Sequence, residues 1–143
     1  MNLLLVDGCN FVIGGKNSDK NHQRIIIKSS LIYLSRQILN SQFKEFKIII
    51  FADCAHSTNE SFVDIKRRFV KIIYCSHEEG GADDHIVNFI YKEQNSCQQI
   101  IVVTDDEMLR ANVVMVIGGS VDIVILSCQE FKRQLNNQLT TIY

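Results

Sequence analysis

MNLLLVDGCN, residues 1–10, decides the fold. Leu3, Leu4, Leu5 and Val6 form an unbroken apolar run, the pattern of a strand buried on both faces and too short for a helix. Asp7 ends the run and Gly8 punctuates it. In an open parallel sheet, ligands gather beyond the carboxyl ends of the strands, so Asp7 stands where chemistry is expected.

The same pattern recurs down the chain. KIIIFAD, residues 47–53, is apolar and ends in Asp53; VKIIYC, residues 70–75, reads as a third strand. IIVVT, residues 100–104, runs straight into Asp105 and Asp106, and VDIVIL, residues 121–126, is a fifth strand. Helical stretches lie between. Ser18 or Asp19 caps a helix running to about Leu39, with Ile27, Leu31, Leu34 and Ile38 on one face. Ser57 and Glu60 have capping-box spacing for a short helix that carries Lys66, Arg67 and Arg68.

Ala82, Ile86 and Ile90 mark a helix with Asp83 and Asp84 in its first turn. Thr104 with Glu107, and Ser127 with Glu130, repeat the capping spacing ahead of two more helices, the first ended by Gly118 and Gly119. Alternating strands and helices predict a three-layer α/β/α domain around a mostly parallel sheet of about five strands. One domain spanning residues 1–143 accounts for the length.

Composition narrows the class. With 46% apolar and 22% charged residues the chain is an ordinary globular one. A net charge of -1 excludes a globally basic nucleic-acid binder and leaves room for local patches. Five cysteines, odd in number and without a CxxC pair, favour buried thiols in the cytoplasm or an equivalent reducing compartment. The N-terminus lacks the basic region of a secretory signal. No stretch approaches the ~20 apolar residues of a membrane span. The expectation is a soluble domain with no membrane partner.

Acids follow every buried strand but the last. Asp7, Asp53, Asp105 and Asp106 end strands, and Asp83 and Asp84 begin the helix after the third. A parallel sheet points all these positions to one edge. Strand-end aspartates also cap helices and bind loop amides, which is the ordinary use of any one of them. Gathered together, they repel one another unless some are protonated or a cation sits among them. All-oxygen ligands suit Mg2+ or Mn2+ rather than zinc, as one ion or two. Such ions polarise phosphates and lower the pKa of bound water, which is the chemistry of phosphodiester hydrolysis.

These residues resemble a known family. LLLVDGCNFVIG is similar to the opening of the YacP-like NYN domain ribonucleases, a branch of the PIN-like nucleases, which begin with a strand and then Asp-Gly-Tyr-Asn. IIIFAD resembles their second strand, EEGGADDHI their Glu-Thr-Ala-Asp segment and IIVVTDD their Val-Val-Thr-Ser-Asp. The trailing GGSVDIVILSCQEF resembles their glycine, short strand and last helix. The resemblance covers nearly the whole chain in order. It implies metal-ligating, catalytic roles for Asp7, Asp83 and Asp106, with Asn10 orienting substrate or a ligand. It makes Asp53 a further acid of the cluster, sets Asp84 and Asp105 beside the matched positions and places Arg24 where the family tends to carry an arginine. Cys9, Gly81 and Asp105 depart from the family's tyrosine, threonine and serine. None of these changes removes a matched acid.

Lys66, Arg67, Arg68 and Lys71 form a basic run that suits an RNA backbone, although short charge runs are commonly just a solvated face. Lys16, Lys20 and Arg24 follow the first acid and are placed to steer phosphate. Two Cys-x-His pairs, Cys54 with His56 and Cys75 with His77, are tighter than the usual zinc spacing. The glycine pairs lack the spacing of a nucleotide cradle. The expected activity is metal-dependent endonucleolytic hydrolysis of RNA, alone or within a larger ribonucleoprotein. The rivals are a catalytically silent RNA- or protein-binding module and a small-molecule phosphohydrolase. A haloacid-dehalogenase-type phosphatase is disfavoured, because its second aspartate would stand where Cys9 is.

Overall fold

The computed structural model describes residues 1–8, 20–55 and 57–140, with side chains described for 1–8, 28–55 and 57–136. Asn10, Lys16, Cys9 and His56 fall outside these residues, as do the side chains of Lys20 and Arg24.

The elements in order are β1 (Asn2–Asp7), α1 (Lys20–Leu39), β2 (Lys47–Cys54), β3 (Asn59–Ile65), β4 (Arg68–Ser76), α2 (Gly81–Glu93), β5 (Gln99–Val103), α3 (Glu107–Val116), β6 (Asp122–Leu126) and α4 (Cys128–Thr140). One six-stranded sheet has the order β3-β4-β2-β1-β5-β6. Every neighbouring pair is parallel except β3 with β4. β1 lies inside it, with Leu5 opposite Ile49 on one side and Val102 on the other.

Alternation along the strands divides the core in two. Leu4, Val6, Ile48 and Ile50 pack with Leu31, Leu34 and Ile38 of α1 and Phe131 and Leu135 of α4. Leu3, Leu5, Ile49 and Phe51 pack with Ala82, Ile86 and Ile90 of α2 and Leu109 and Val113 of α3. Leu3, Leu4, Leu5 and Val6 are each wholly buried, and such burial stabilises by about 2 kcal/mol per side chain. The two faces consume the whole apolar run, which is why it carries no polar residue until Asp7.

One expected element is corrected. The short helix after Ser57 does not form; residues 59–65 are an antiparallel edge strand, and Lys66 and Arg67 make the two-residue turn into β4. Ser61, Val63 and Ile65 are half-buried while Glu60, Phe62 and Asp64 are exposed, the period of two that a strand requires and a helix cannot use. The turn escapes sequence reasoning because it holds neither glycine nor asparagine. Both residues nevertheless take positive φ, 49° at Lys66 and 69° at Arg67.

The capping boxes divide. At α4 both halves form: Ser127 Oγ accepts from the Glu130 N–H at 3.1 Å, and Glu130 Oε1 accepts from the Ser127 N–H at 3.0 Å. At α3 the cap is Asp106, whose Oδ1 accepts from the Leu109 N–H at 3.0 Å, and not Thr104 as expected.

Candidate active site

Parallel register brings the carboxyl ends of β1, β2 and β5 to one rim. Asp7 pairs with Phe51, and Val6 with Val103, so Thr104 comes level with Asp7. Thr104 is wholly buried and Asp7 only 3% exposed. The Thr104 hydroxyl donates to Asp7 Oδ2 at 2.9 Å and accepts from the Asp106 backbone N–H at 3.0 Å. One side chain thus ties the acid of the first strand to the acid that begins α3. Sequence reasoning took Thr104 for a helix cap and missed this use. Its signal was only its place between a buried strand and two acids.

The second side of the rim is the start of α2. Its N-cap is Gly80, so neither Asp83 nor Asp84 caps the helix. The Ala82 N–H instead donates to Asp53 Oδ1 across a separation of 29 residues, at 2.7 Å. Gly80 and Gly81 have φ of 93° and 68°, conformations that suit glycine. A Cβ on Gly81 would stand 2.7 Å from Asp53 Oδ1, and one on Gly80 would collide with the Asp84 carboxylate. The departure from threonine at Gly81 therefore has a local cause: it clears the approach of Asp53 to the helix.

This anchoring aims the first turn of α2 at the strand ends. Asp83, half-buried, has its carboxyl raised above the ordinary aspartate range, first by burial and then by the charges of Asp106, Asp53 and Asp84. Four acids from three separate segments therefore share one electrostatic neighbourhood, with Asp7 joined to it through Thr104. Among the described residues, no group of three or more His, Cys, Asp or Glu is arranged to hold a metal ion.

Other candidates lie elsewhere. Asp105 turns to α4, where its Oδ1 accepts the Cys128 N–H at 2.9 Å. The Cys128 thiol is pushed up to about 12, by burial first and then by Asp105. Lys66, Arg67 and Arg68 stand at the start of β4, the opposite edge of the sheet from the acids. Arg68 is paired there with Glu45 at 2.7 Å, and Lys71 is 3.8 Å from Glu60. Cys75 is buried and His77 exposed, so no zinc site is assembled among the described residues.

A mostly parallel three-layer domain with acids converging at its strand ends is the architecture of the PIN-like nucleases. The chain belongs to the YacP-like NYN domain family, whose model matches residues 4–142. Among solved structures, a single-substitution mutant of Rae1 (YacP) from Bacillus subtilis is similar in fold, with a TM-score of 0.68 and 20% identity. That likeness covers 98% of this chain and 77% of the other. No curated protein matches the chain. Among the described residues no helix is long and apolar enough to cross a membrane.

Proposed function

We propose that this chain is a metal-dependent endoribonuclease of the cytoplasm, acting on RNA alone or within a ribonucleoprotein. Membership of a nuclease family supports the class, and the observation that carries the reading is Asp7 and Asp106 joined through Thr104 at the strand ends, with Asp83 close enough to feel the charge of Asp106. The Asp83 carboxyl, raised first by burial and then by the acids around it, stands in a setting that a bound cation would relieve.

The donor set is all oxygen, from buried Asp7 through half-buried Asp83 and Asp106 to exposed Asp53 and Asp84, which fits Mg2+ or Mn2+. Asp7, Asp83 and Asp106 would hold one ion or two, with Asp84 and Asp53 beside them. A bound ion of this kind supplies Lewis acidity toward a phosphodiester and a lowered pKa for water. The chain's own part is to fix the acids. Thr104 orients Asp7 and the start of α3, and Asp53 holds the start of α2. Asn10, Lys16, Lys20 and Arg24, on the segment after Asp7, would meet the phosphate backbone.

A second reading, a catalytically silent RNA-binding module, is favoured by the lack of a ready ligand triad among the described residues. Labelled single-stranded RNA with Mn2+ decides between them. Cleavage that is lost in Asp7→Asn, Asp83→Asn and Asp106→Asn supports the nuclease. RNA binding with no metal-dependent cleavage supports the silent module, and turnover of a small phosphate ester alone supports a phosphohydrolase.

A further inference from the structure

The acid rim leaves one exposed feature of the sheet unused. Phe62 of β3 and Phe69 of β4 are 53% and 51% exposed, and their rings meet edge to face with centroids 5.6 Å apart. Residues directly opposite in an antiparallel pair share a face. Phe62 faces Lys71 and Phe69 faces Asp64, so the rings lie on the same face as Ile73 and Cys75, the face that α2 covers further in. Asp53, opposite Cys75 in the parallel register, lies on it too.

Two features choose the occupant. The rings are flanked by cations: Lys71 Nζ stands over the Phe62 ring at 5.8 Å, and Lys66 and Arg67 form the turn at the tip. On the rings' own face Glu60 and Asp64 stand against Lys71, which is 3.8 Å from Glu60, while Arg68 is on the other face and paired with Glu45; the cationic excess at the platform is therefore that of the tip, Lys66 and Arg67. Exposed aromatic rings set among positive charge are the two elements of a single-strand binding surface, because every base has a face to stack and every nucleotide a phosphate.

We infer that the outer face of the β3–β4 hairpin is a stacking platform for single-stranded RNA, holding bases on Phe62 and Phe69 and phosphates on Lys66, Arg67 and Lys71. The choice of RNA as ligand rests on the nuclease reading of the acid rim. Phe69 lies six residues before Cys75, so the platform stands about 20 Å along the sheet from the acids. About six stacked nucleotides bridge that distance. The platform therefore serves long substrates, engaging the strand at a distance from the bond that is cut.

The test is binding of fluorescein-labelled oligouridine of about 12 nucleotides, measured by anisotropy in EDTA so that cleavage plays no part. The Phe62→Ala/Phe69→Ala variant, checked for folding by its thermal transition, is expected to bind about tenfold or more weakly. The chain has no tryptophan, so Phe69→Trp places a single reporter in the platform. Its fluorescence is expected to be quenched by the oligonucleotide while affinity is kept. Unchanged affinity in the alanine variant, an unquenched tryptophan, or a wild type that does not bind would each overturn the proposal. So would a wild-type dimer that the alanine changes convert to monomer, since the rings would then belong to a self-contact. A wild type that binds through these rings but never cleaves RNA leaves the platform standing and removes the nuclease.

Discussion

Thr104 stands between Asp7 and Asp106, donating its hydroxyl proton to the carboxylate of one and accepting the backbone N–H of the other. A buried carboxylate is tolerated only when its oxygens are supplied with donors. Thr104→Val keeps the shape, removes the donor and leaves the Asp106 N–H without its acceptor. The expected cost is about 1–3 kcal/mol in urea unfolding, with loss of Mn2+-dependent cleavage. Thr104→Ser is expected to restore both, because a serine hydroxyl makes the same pair of bonds.

Asp83 gives a pH signature. Its carboxyl titrates above its unfolded value, so over the interval between the two the native state binds more protons than the unfolded one. Stability then falls as pH rises through that interval, and the penalty is fully present above it. Asp83→Asn removes the penalty. The variant is expected to be more stable than wild type at pH 7, the difference shrinking to nothing as pH falls below about 3.9. Mn2+ is expected to raise the melting temperature of the wild type and not of the variant, since a ligand bound only by the native state stabilises it. Melting curves with and without Mn2+ check both.

Asp53 separates charge from anchoring. Its Oδ1 takes the Ala82 N–H at 2.7 Å, a bond that the Oδ1 of asparagine also makes. If holding the start of α2 is its main work, Asp53→Asn keeps most of the stability and the cleavage. Asp53→Ala is expected to lose about 1 kcal/mol, the usual worth of a helix-start bond, and most of the cleavage with it. Urea unfolding and cleavage of the two variants side by side read the difference.

The strands and helices that bury the core were legible because both faces of the sheet are covered. Leu3 to Val6 need apolar residues at every position, and Ala82, Ile86 and Ile90 need the helical period. The rim was legible for a simpler reason: polar residues begin where the apolar layers end. Two features were not. β3 is an edge strand with one exposed face, so its pattern is half polar and only seven residues long. The tasks of Asp53 and Asp105 depend on contacts 29 and 23 residues away, which local spacing does not carry. An acid that ends a strand looks the same whether it faces a cation or a helix start.

Asp105 illustrates the second case. Burial first, and then the charge and hydrogen bond of Asp105, push the Cys128 thiol up to about 12. At neutral pH that thiol is protonated and a poor nucleophile. Asp105→Asn keeps an oxygen for the Cys128 N–H and removes the charge. It is expected to speed alkylation of Cys128 by iodoacetamide while leaving the Mn2+-induced rise in melting temperature intact. Peptide mapping after timed alkylation checks the first outcome, and melting curves the second.

The turn at Lys66 and Arg67 offers the last prediction. Both residues hold positive φ without being glycine or asparagine, and a left-handed conformation costs an ordinary L-residue about 1–2 kcal/mol. Lys66→Asn with Arg67→Gly supplies the sequence that such two-residue hairpin turns prefer. The double change is expected to stabilise the domain by about 1–2 kcal/mol in urea unfolding. It also removes two cations from the platform, so oligouridine binding is expected to weaken and its salt dependence to become shallower. A chain that becomes more stable and binds RNA less well would mean that the strained turn is kept for its charge. A more stable chain with unchanged binding would place the RNA elsewhere.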